Sequence, residues 1–307
     1  MSTPPMNAEN LSACPACGSN ATDGRTRVPD HEYGVEFVAT YVRCSACGSE
    51  TQAPMPEDEQ LASFYPATYH SKQADGALVR MRNDVRWKRL ASLLDPAGGK
   101  GVILDYGCGD GQFLRHVAER DASARLFGYE IGATREIIEQ VDGRVTIVRG
   151  SVDDLLGALP PCRMITMNHV IEHLPDPVKT LSQLARHLEP GGVFEGQTPA
   201  AGSLEHRVFG TRWSGYHAPR HTVVFSPGGL ESALERAGLT RPNVIGAFNP
   251  AGLALSLASV RHDDAPSVLR REGLPWLVWL GLASGLSLVD KLSGAPAVID
   301  FDAKKAA

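Results

Sequence analysis

The chain has 307 residues, 43% of them hydrophobic and 21% charged, with a formal net charge of −5 and an isoelectric point of about 6.1. That is room for one large globular domain and a small one, and the mild acidity argues against nucleic acid as the main partner, because phosphate binding draws on a basic surface. No apolar leader stands in the polar, proline-containing stretch Met1–Asn10, so a cytoplasmic compartment is expected, with six reduced cysteines rather than disulfides.

Residues 1–10 read as a disordered tail. Residues 11–50 carry two matched knuckles, Cys14-Pro15-Ala16-Cys17-Gly18 and Cys44-Ser45-Ala46-Cys47-Gly48. Four thiolates at this spacing, each pair followed by a glycine that relieves the tight turn, suit one tetrahedral structural Zn²⁺ held by Cys14, Cys17, Cys44 and Cys47. The alternation through Tyr33–Arg43 predicts a hairpin strand leading into the second knuckle. Residues 51–75 form a proline-containing, acidic connector ending in Phe64-Tyr65-Pro66-Ala67-Thr68-Tyr69, which serves either as an aromatic clasp or as a lid. Residues 76–307 then make the main domain. It opens with a basic helix over Gly76–Leu94 that places Leu78, Met81, Val85 and Leu90 on its apolar side.

Val102–Tyr106 is a short run of β-branched and aliphatic residues, expected as a buried strand. It runs into Asp105-Tyr106-Gly107-Cys108-Gly109-Asp110-Gly111, and Phe113, Leu114, Val117 and Ala118 then recur at helical spacing. Strand, glycine-rich turn and helix open a nucleotide-binding α/β unit, in which glycine lets a ligand approach the backbone and the helix start offers free N–H groups. The dinucleotide fingerprint fails here, since its third glycine falls on Gln112 or Leu114. The Asp-x-Gly-x-Gly-x-Gly string instead resembles the first motif of class I S-adenosylmethionine-dependent methyltransferases. Leu126–Tyr129 reads as the next strand and ends in Glu130, where a nucleotide fold places the acid that takes the ribose hydroxyls. A helix over Thr134–Gln140 and a strand over Val145–Val148 follow. The resemblance implies that Asp153 meets the adenine amino group with Val152 beside it, although Asp154 competes for that role and either acid suits a helix cap. The same resemblance implies cofactor contacts from Asp105, Gly107, Cys108, Gly109, Gly111 and Ile131.

Met164–Asn168 predicts a fourth strand that turns into His169-Val170-Ile171-Glu172-His173-Leu174-Pro175. This crossover is similar to the fourth motif of the branch that includes the ubiquinone-pathway O-methyltransferases. It departs from that motif at His169, where the branch often carries an acid or another polar residue. Asn168 and His169 lie at the carboxyl end of a strand, where open α/β sheets bind ligands, and are expected to touch the cofactor. His173 suits a hydrogen-bonded structural role better than that of a base. Val193–Pro199 should form the fifth strand. Trp213–Thr222 breaks all periodicity and concentrates aromatic, imidazole and guanidinium groups. It is either an acceptor loop or a loop packed by its own aromatics. In the first case His217, His221 or His169 takes the acceptor proton, while Trp213, Tyr216 and Arg220 bind the acceptor, Arg220 through a carboxylate or phosphate.

Pro227–Leu239 predicts a helix stopped at Gly238, Val244–Phe248 a sixth strand and Ala297–Asp302 the last. Between these two strands, residues 250–292 form a helical insertion that includes the uncharged run 273–289. The run is too short and too rich in Gly and Ser for a confident span, which leaves a lid or acceptor wall, a peripheral membrane contact or a subunit surface. The expected fold is therefore α/β: a Rossmann-like seven-stranded methyltransferase sheet with its last strand antiparallel, a zinc-ribbon-like module and the insertion. A cysteine-knuckle module before Tyr-Pro-x-x-Tyr also resembles certain sugar C-methyltransferases. These resemblances imply methyl transfer from S-adenosylmethionine to a nucleophilic O, N or C, with O- or C-methylation of a small-molecule, saccharide or lipid-linked acceptor expected. A zinc-ribbon RNA methyltransferase and a non-catalytic adaptor with a relic cofactor fold are the competing readings. The oligomeric state is open.

Overall fold

The computed structural model describes residues 13–66, 76–94, 101–130, 144–148, 150–261 and 273–307. Strands β1 (Thr22–Pro29), β2 (Val38–Cys44) and β3 (Glu50–Gln52) form an antiparallel meander behind the two cysteine knuckles. Helix α1 (Asp58–Ser63) follows, and α2 (Ala77–Leu93) then leads into the main sheet. The sheet begins with β4 (Val102–Tyr106), α3 (Gln112–Arg120), β5 (Arg125–Tyr129) and β6 (Val145–Val148). It continues through α4 (Val152–Ala158), β7 (Cys162–Asn168), α5 (Pro177–Arg186) and β8 (Leu188–Pro199). After α6 (Leu204–Phe209) come β9 (Val223–Val224), α7 (Pro227–Arg236) and β10 (Leu239–Gly246). The insertion helices α8 (Pro250–Arg261) and α9 (Gly273–Leu292) precede β11 (Val298–Lys305).

Seven strands lie in the order β10-β11-β8-β7-β4-β5-β6. β4, β5, β6, β7 and β8 pair in parallel, while β11 runs antiparallel to both β8 and β10. The expected methyltransferase sheet, with its last strand antiparallel, is what the chain forms. Parallel strands buried on both faces need continuous apolar sequence, and Ile103, Leu104, Leu126, Phe127, Met164, Ile165 and Phe194 supply it, all almost fully buried. Helix starts are fixed locally: Ser226 with Pro227 and Asp176 with Pro177 each pair an N-cap acceptor with a proline in the first turn.

Three details depart from the sequence expectation. The strand before the second knuckle starts at Val38 rather than Tyr33, and residues 30–37 form a loop knotted by Asp30, whose carboxylate accepts from the N–H groups of Glu32, Tyr33 and Val35. Met81 and Val85 are exposed, because α2 is turned to bury Asn83, Trp87 and Leu90 and to aim Arg86 and Arg89 at the buried acids Asp105 and Glu195. Pairing two buried carboxylates outweighs hiding two aliphatic side chains. The sixth strand starts at Leu239, directly after Gly238, because its register is set by β11, from Leu239 opposite Lys305 to Gly246 opposite Ile299.

The second sheet is ordered β1-β2-β3-β9. Its fourth strand, Val223–Val224, comes from the far end of the Trp213–Thr222 segment, so the cysteine module and the main domain share a sheet. They also share a core, in which Val28, Ala39 and Tyr41 pack with Ala201, Trp213, Tyr216, Ala218 and Val224. The expected helix over Thr134–Gln140, Ile131 and the Ala67–Tyr69 end of the aromatic segment lie outside the described residues.

Candidate active site

The turn after β4 has the shape its glycines imply. Gly107, Gly109 and Gly111 all sit at positive φ, where L side chains are strained. A Cβ on Gly107 would run into Val170, whereas one on Gly109 would meet nothing within 4 Å, so Gly109 faces an open cradle. Gly111 is the N-cap of α3. Glu130, 21 residues on, closes the turn by accepting from the Gly109 N–H at 2.7 Å with Oε2. Burial pushes its carboxyl up to about 7, which marks it as an acid awaiting hydrogen-bond donors. These residues fit an adenosyl ribose: one carboxylate oxygen holds the loop while the other remains for hydroxyls. Asp105 is buried and receives Arg86 at 2.8 Å, and Arg86 in turn stacks over the Phe113 ring. Cys108 is buried at the turn, its thiol held up by burial.

At the next edge, Ser151 caps α4 and Asp154 completes a capping box with it. That employment removes Asp154 from the competition for adenine and leaves Asp153 exposed beside half-buried Val152. Asn168 ends β7 half-buried, and His169 follows with φ 54°.

A cavity of about 260 Å³ opens next to His169, lined by His173, His217, His221, Glu32, Glu205, Trp213 and Asn249 with an apolar wall from α8. The four imidazoles differ in what their ring nitrogens are already doing. His169 Nδ1 faces Glu172 Oε1 at 3.2 Å and its Nε2 faces Gln197 Oε1 at 3.0 Å. The Gln197 amide nitrogen donates to Asp300, which fixes the oxygen toward the histidine. Two acceptors demand a doubly protonated ring. Burial opposes the cation, but the hydrogen bond and charge of Glu172 outweigh it and raise His169 above the ordinary histidine value. His217 donates from Nδ1 to Glu32 at 2.9 Å and accepts Arg220 Nε–H at Nε2. His221 donates Nδ1–H to the Gly215 carbonyl at 2.8 Å, and its Nε2 stands 3.8 Å from Glu172. His173 has its Nδ1 between Tyr65 Oη at 2.8 Å and the Arg220 carbonyl. Burial pushes His173 down to about 4 and His221 well below its usual value, so both are neutral.

Several sequence expectations are corrected here. His169 and His217 have no lone pair left to take a proton, because every ring nitrogen is already bonded. Arg220 does not hold an acceptor carboxylate or phosphate. It is 0% exposed and locked in a bidentate pair with Asp30 at 2.9 Å, with further bonds to the carbonyls of Phe64 and Ala218. A buried guanidinium needs such a partner. Tyr216 gives its hydroxyl to Glu50 at 2.6 Å and belongs to the shared core rather than to the cavity. Trp213 does line the cavity, stacked on His206. His173 joins the cavity although its sequence suggested a scaffold. Asp30, Glu32 and Glu205 had no legible signal, because their roles depend on contacts with distant segments.

The four knuckle cysteines converge as expected. Cys14 and Cys47 sulfurs are 3.8 Å apart, Cys17 and Cys44 sulfurs 3.7 Å, and all four lie within 4.8 Å of one another. A tetrahedral Zn–S₄ centre with bonds of about 2.3 Å has S···S edges of about 3.8 Å, whereas a disulfide needs about 2.05 Å. The donor set and spacing therefore fit zinc. Glu172, His173 and His221 also bring one ligand atom each within 4.8 Å of the others.

The comparisons with known proteins agree with this geometry. A methyltransferase-domain family model matches residues 80–241, more than half of the chain. Ubiquinone biosynthesis O-methyltransferase of Xanthomonas axonopodis pv. citri is 30% identical over 185 residues, covering 53% of this chain and 72% of that protein. A probable S-adenosylmethionine-dependent methyltransferase of Mycolicibacterium smegmatis is 32% identical over 176 residues, or 56% of this chain and 63% of its own length. A solved methyltransferase of Archaeoglobus fulgidus aligns over 74% of this chain and 94% of its own, with a TM-score of 0.48 and 18% identity. The chain belongs to the methyltransferase-domain family, as a class I S-adenosylmethionine-dependent enzyme. The matched span excludes both cysteine knuckles and the insertion helices α8 and α9.

Proposed function

We propose that the chain methylates an oxygen or carbon of a small-molecule or saccharide acceptor by in-line displacement, with His221 or His173 taking the acceptor proton. S-adenosylmethionine, when bound, supplies an electrophilic methyl on sulfur. Glu130 and the Gly107–Gly111 turn hold its adenosyl part, Asp153 and Asn168 edge the same site, and the cavity holds the acceptor. Catalysis then rests mainly on positioning the two reactants, helped by a neutral imidazole within reach of the reacting hydroxyl or acidic C–H. The observation that carries this reading is the difference among the four cavity imidazoles: of these four, His173 and His221 each keep a ring nitrogen without a hydrogen-bond partner, whereas both nitrogens of His169 and His217 are engaged. Calorimetry with S-adenosylhomocysteine followed by a co-structure tests it. Tight binding with the sulfur facing His173 and His221 is expected. Absence of binding overturns the enzyme reading and restores the relic adaptor, and a sulfur facing away from both rings overturns the base assignment.

The four cysteines hold one structural zinc with no ligand position left for catalysis, and metal analysis should return about one zinc per chain. The RNA methyltransferase alternative is disfavoured, because no lysine or arginine lines the cavity among the described residues. Among the described residues no helix is long and apolar enough to cross a membrane. α9 nevertheless exposes Leu277, Val278, Leu282, Leu286 and Val289, which supports a peripheral contact with lipid for an otherwise cytoplasmic enzyme. Flotation with neutral liposomes, abolished by Leu282→Glu, is the expected outcome, and no flotation removes the reading.

A further inference from the structure

One wall of the acceptor cavity carries an acid that the mechanism above does not use. Glu205 lies in the first turn of α6 and lines the cavity while being only 6% exposed. Among the described residues its carboxylate has no hydrogen-bond donor and no cation beside it, and burial together with the nearby Asp290 holds it up to about 8. Asp290, near the end of α9, is 5% exposed. Its Oδ2 accepts the Ala297 N–H, whereas its Oδ1 is buried with no partner. Ala297 itself lines the cavity. Two neighbouring buried carboxyl groups that share a single backbone donor and no cation are costly. Glu32, the other acid lining the cavity, is accounted for by His217, and Glu172, buried behind His169, is paired with that ring.

We propose that Glu205, backed by Asp290, is the subsite for a protonated amine carried by the acceptor. An ammonium brings up to three N–H donors and the missing positive charge, and so satisfies both open requirements at once. The rest of the lining agrees. There is no lysine or arginine among the described lining residues, and the charge of His169 is already paired with Glu172, so the lining offers no unpaired cation to a phosphate or carboxylate. Trp213 and the α8 residues Leu253 and Leu255 form an aromatic and apolar wall suited to the carbon skeleton beside an amine. The amine is a recognition handle, separate from the atom that receives the methyl at the histidine side.

This assignment rests on the acceptor cavity proposed above and narrows the acceptor to hydroxylated amines. The test uses the full chain loaded with S-adenosylhomocysteine and matched pairs of probes, such as glucosamine with N-acetylglucosamine and dopamine with N-acetyldopamine, followed by ligand-observed NMR. The expected result is binding of at least one amine about tenfold or more tighter than its N-acetyl partner. Glu205→Gln should abolish that preference and Asp290→Asn should reduce it, while S-adenosylhomocysteine affinity stays as in the wild type. The proposal is overturned if no amine is preferred over its acetylated partner, or if the preference survives both substitutions. Failure of S-adenosylhomocysteine to bind would instead strike the methyltransferase reading. The amine preference is measurable on the unloaded protein as well, so the two failures separate.

Discussion

The glycine-rich cofactor cradle and the histidine-lined cavity proposed for the acceptor are built on opposite plans. The cofactor cradle is local: Asp105, Gly107, Gly109 and Gly111 are nearly consecutive, and Glu130 reaches back only 21 residues to the Gly109 N–H. The cavity is assembled from separate segments spread along the chain from Glu32 to Val298. Asp30 meets Arg220 across 190 residues and Tyr216 meets Glu50 across 166, while α8 supplies an apolar wall from the insertion. The short sheet β1-β2-β3-β9 ties the cysteine module directly to the segment that carries His217 and His221. Loss of the cysteine module should therefore damage acceptor binding and spare the cofactor.

That contrast can be broken most forcefully at the cysteines. Cys14→Ser with Cys44→Ser should remove the metal, whose binding free energy is worth about 10–16 kcal/mol in isolated zinc fingers. Amide exchange at Val223 and Val224 should then accelerate while S-adenosylhomocysteine binding persists. Simultaneous loss of both would show that the two sides are one unit. Next in size is Asp30→Ala, which leaves a fully buried guanidinium unpaired and should lower stability by about 3–5 kcal/mol, read from denaturant unfolding. Glu130→Ala acts on the other side. It should weaken cofactor binding by about 1–3 kcal/mol, the cost of unpaired donors, with the cysteine module unaffected, and unaltered affinity would remove the ribose assignment.

A gentler effect comes with pH. His173 is held near 4 and His221 well below 6.5, so on acidification the unfolded chain takes up protons at these positions before the native one does. Stability should fall steadily as the pH drops from about 6.5 toward 4, and His221→Asn should flatten part of that slope in a melting series. A base with such a depressed value also places the acid limb of the rate profile below the ordinary histidine range. A rate limb near 6.5 would point to a different base. The smallest change should come from Met81→Lys and Val85→Lys on the exposed side of α2, within about 0.5 kcal/mol. A larger loss would mean that this face is covered.

The histidines show how far residue chemistry alone carries. His169, His217 and His221 sit in sequence where an imidazole base is expected and His173 where a structural ring is, and only partner assignment separates them: Glu172 and Gln197 make His169 a cation, Glu32 and Arg220 occupy His217, and Gly215 orients His221. Arg220 is the sharpest reversal. Its sequence neighbourhood advertises anion binding, yet Asp30, on a loop before the second knuckle, claims it. Glu205 carried no signal at all, because an acid in a short helix looks like surface until α9 and the cavity enclose it.

By itself the sequence determined the succession of the seven main-sheet strands, the glycine turn with its acid on the next strand, and the two cysteine knuckles. Each of these depends on interactions within about one supersecondary unit, where spacing along the chain is spacing in space. Tertiary structure decided which cavity imidazoles keep an open nitrogen, which charges cancel, and that the cysteine module shares a sheet and a core with the segment carrying His217 and His221. Those properties depend on burial and on partners more than 100 residues away, and chain order does not encode such distances until the two sheets close around a common core.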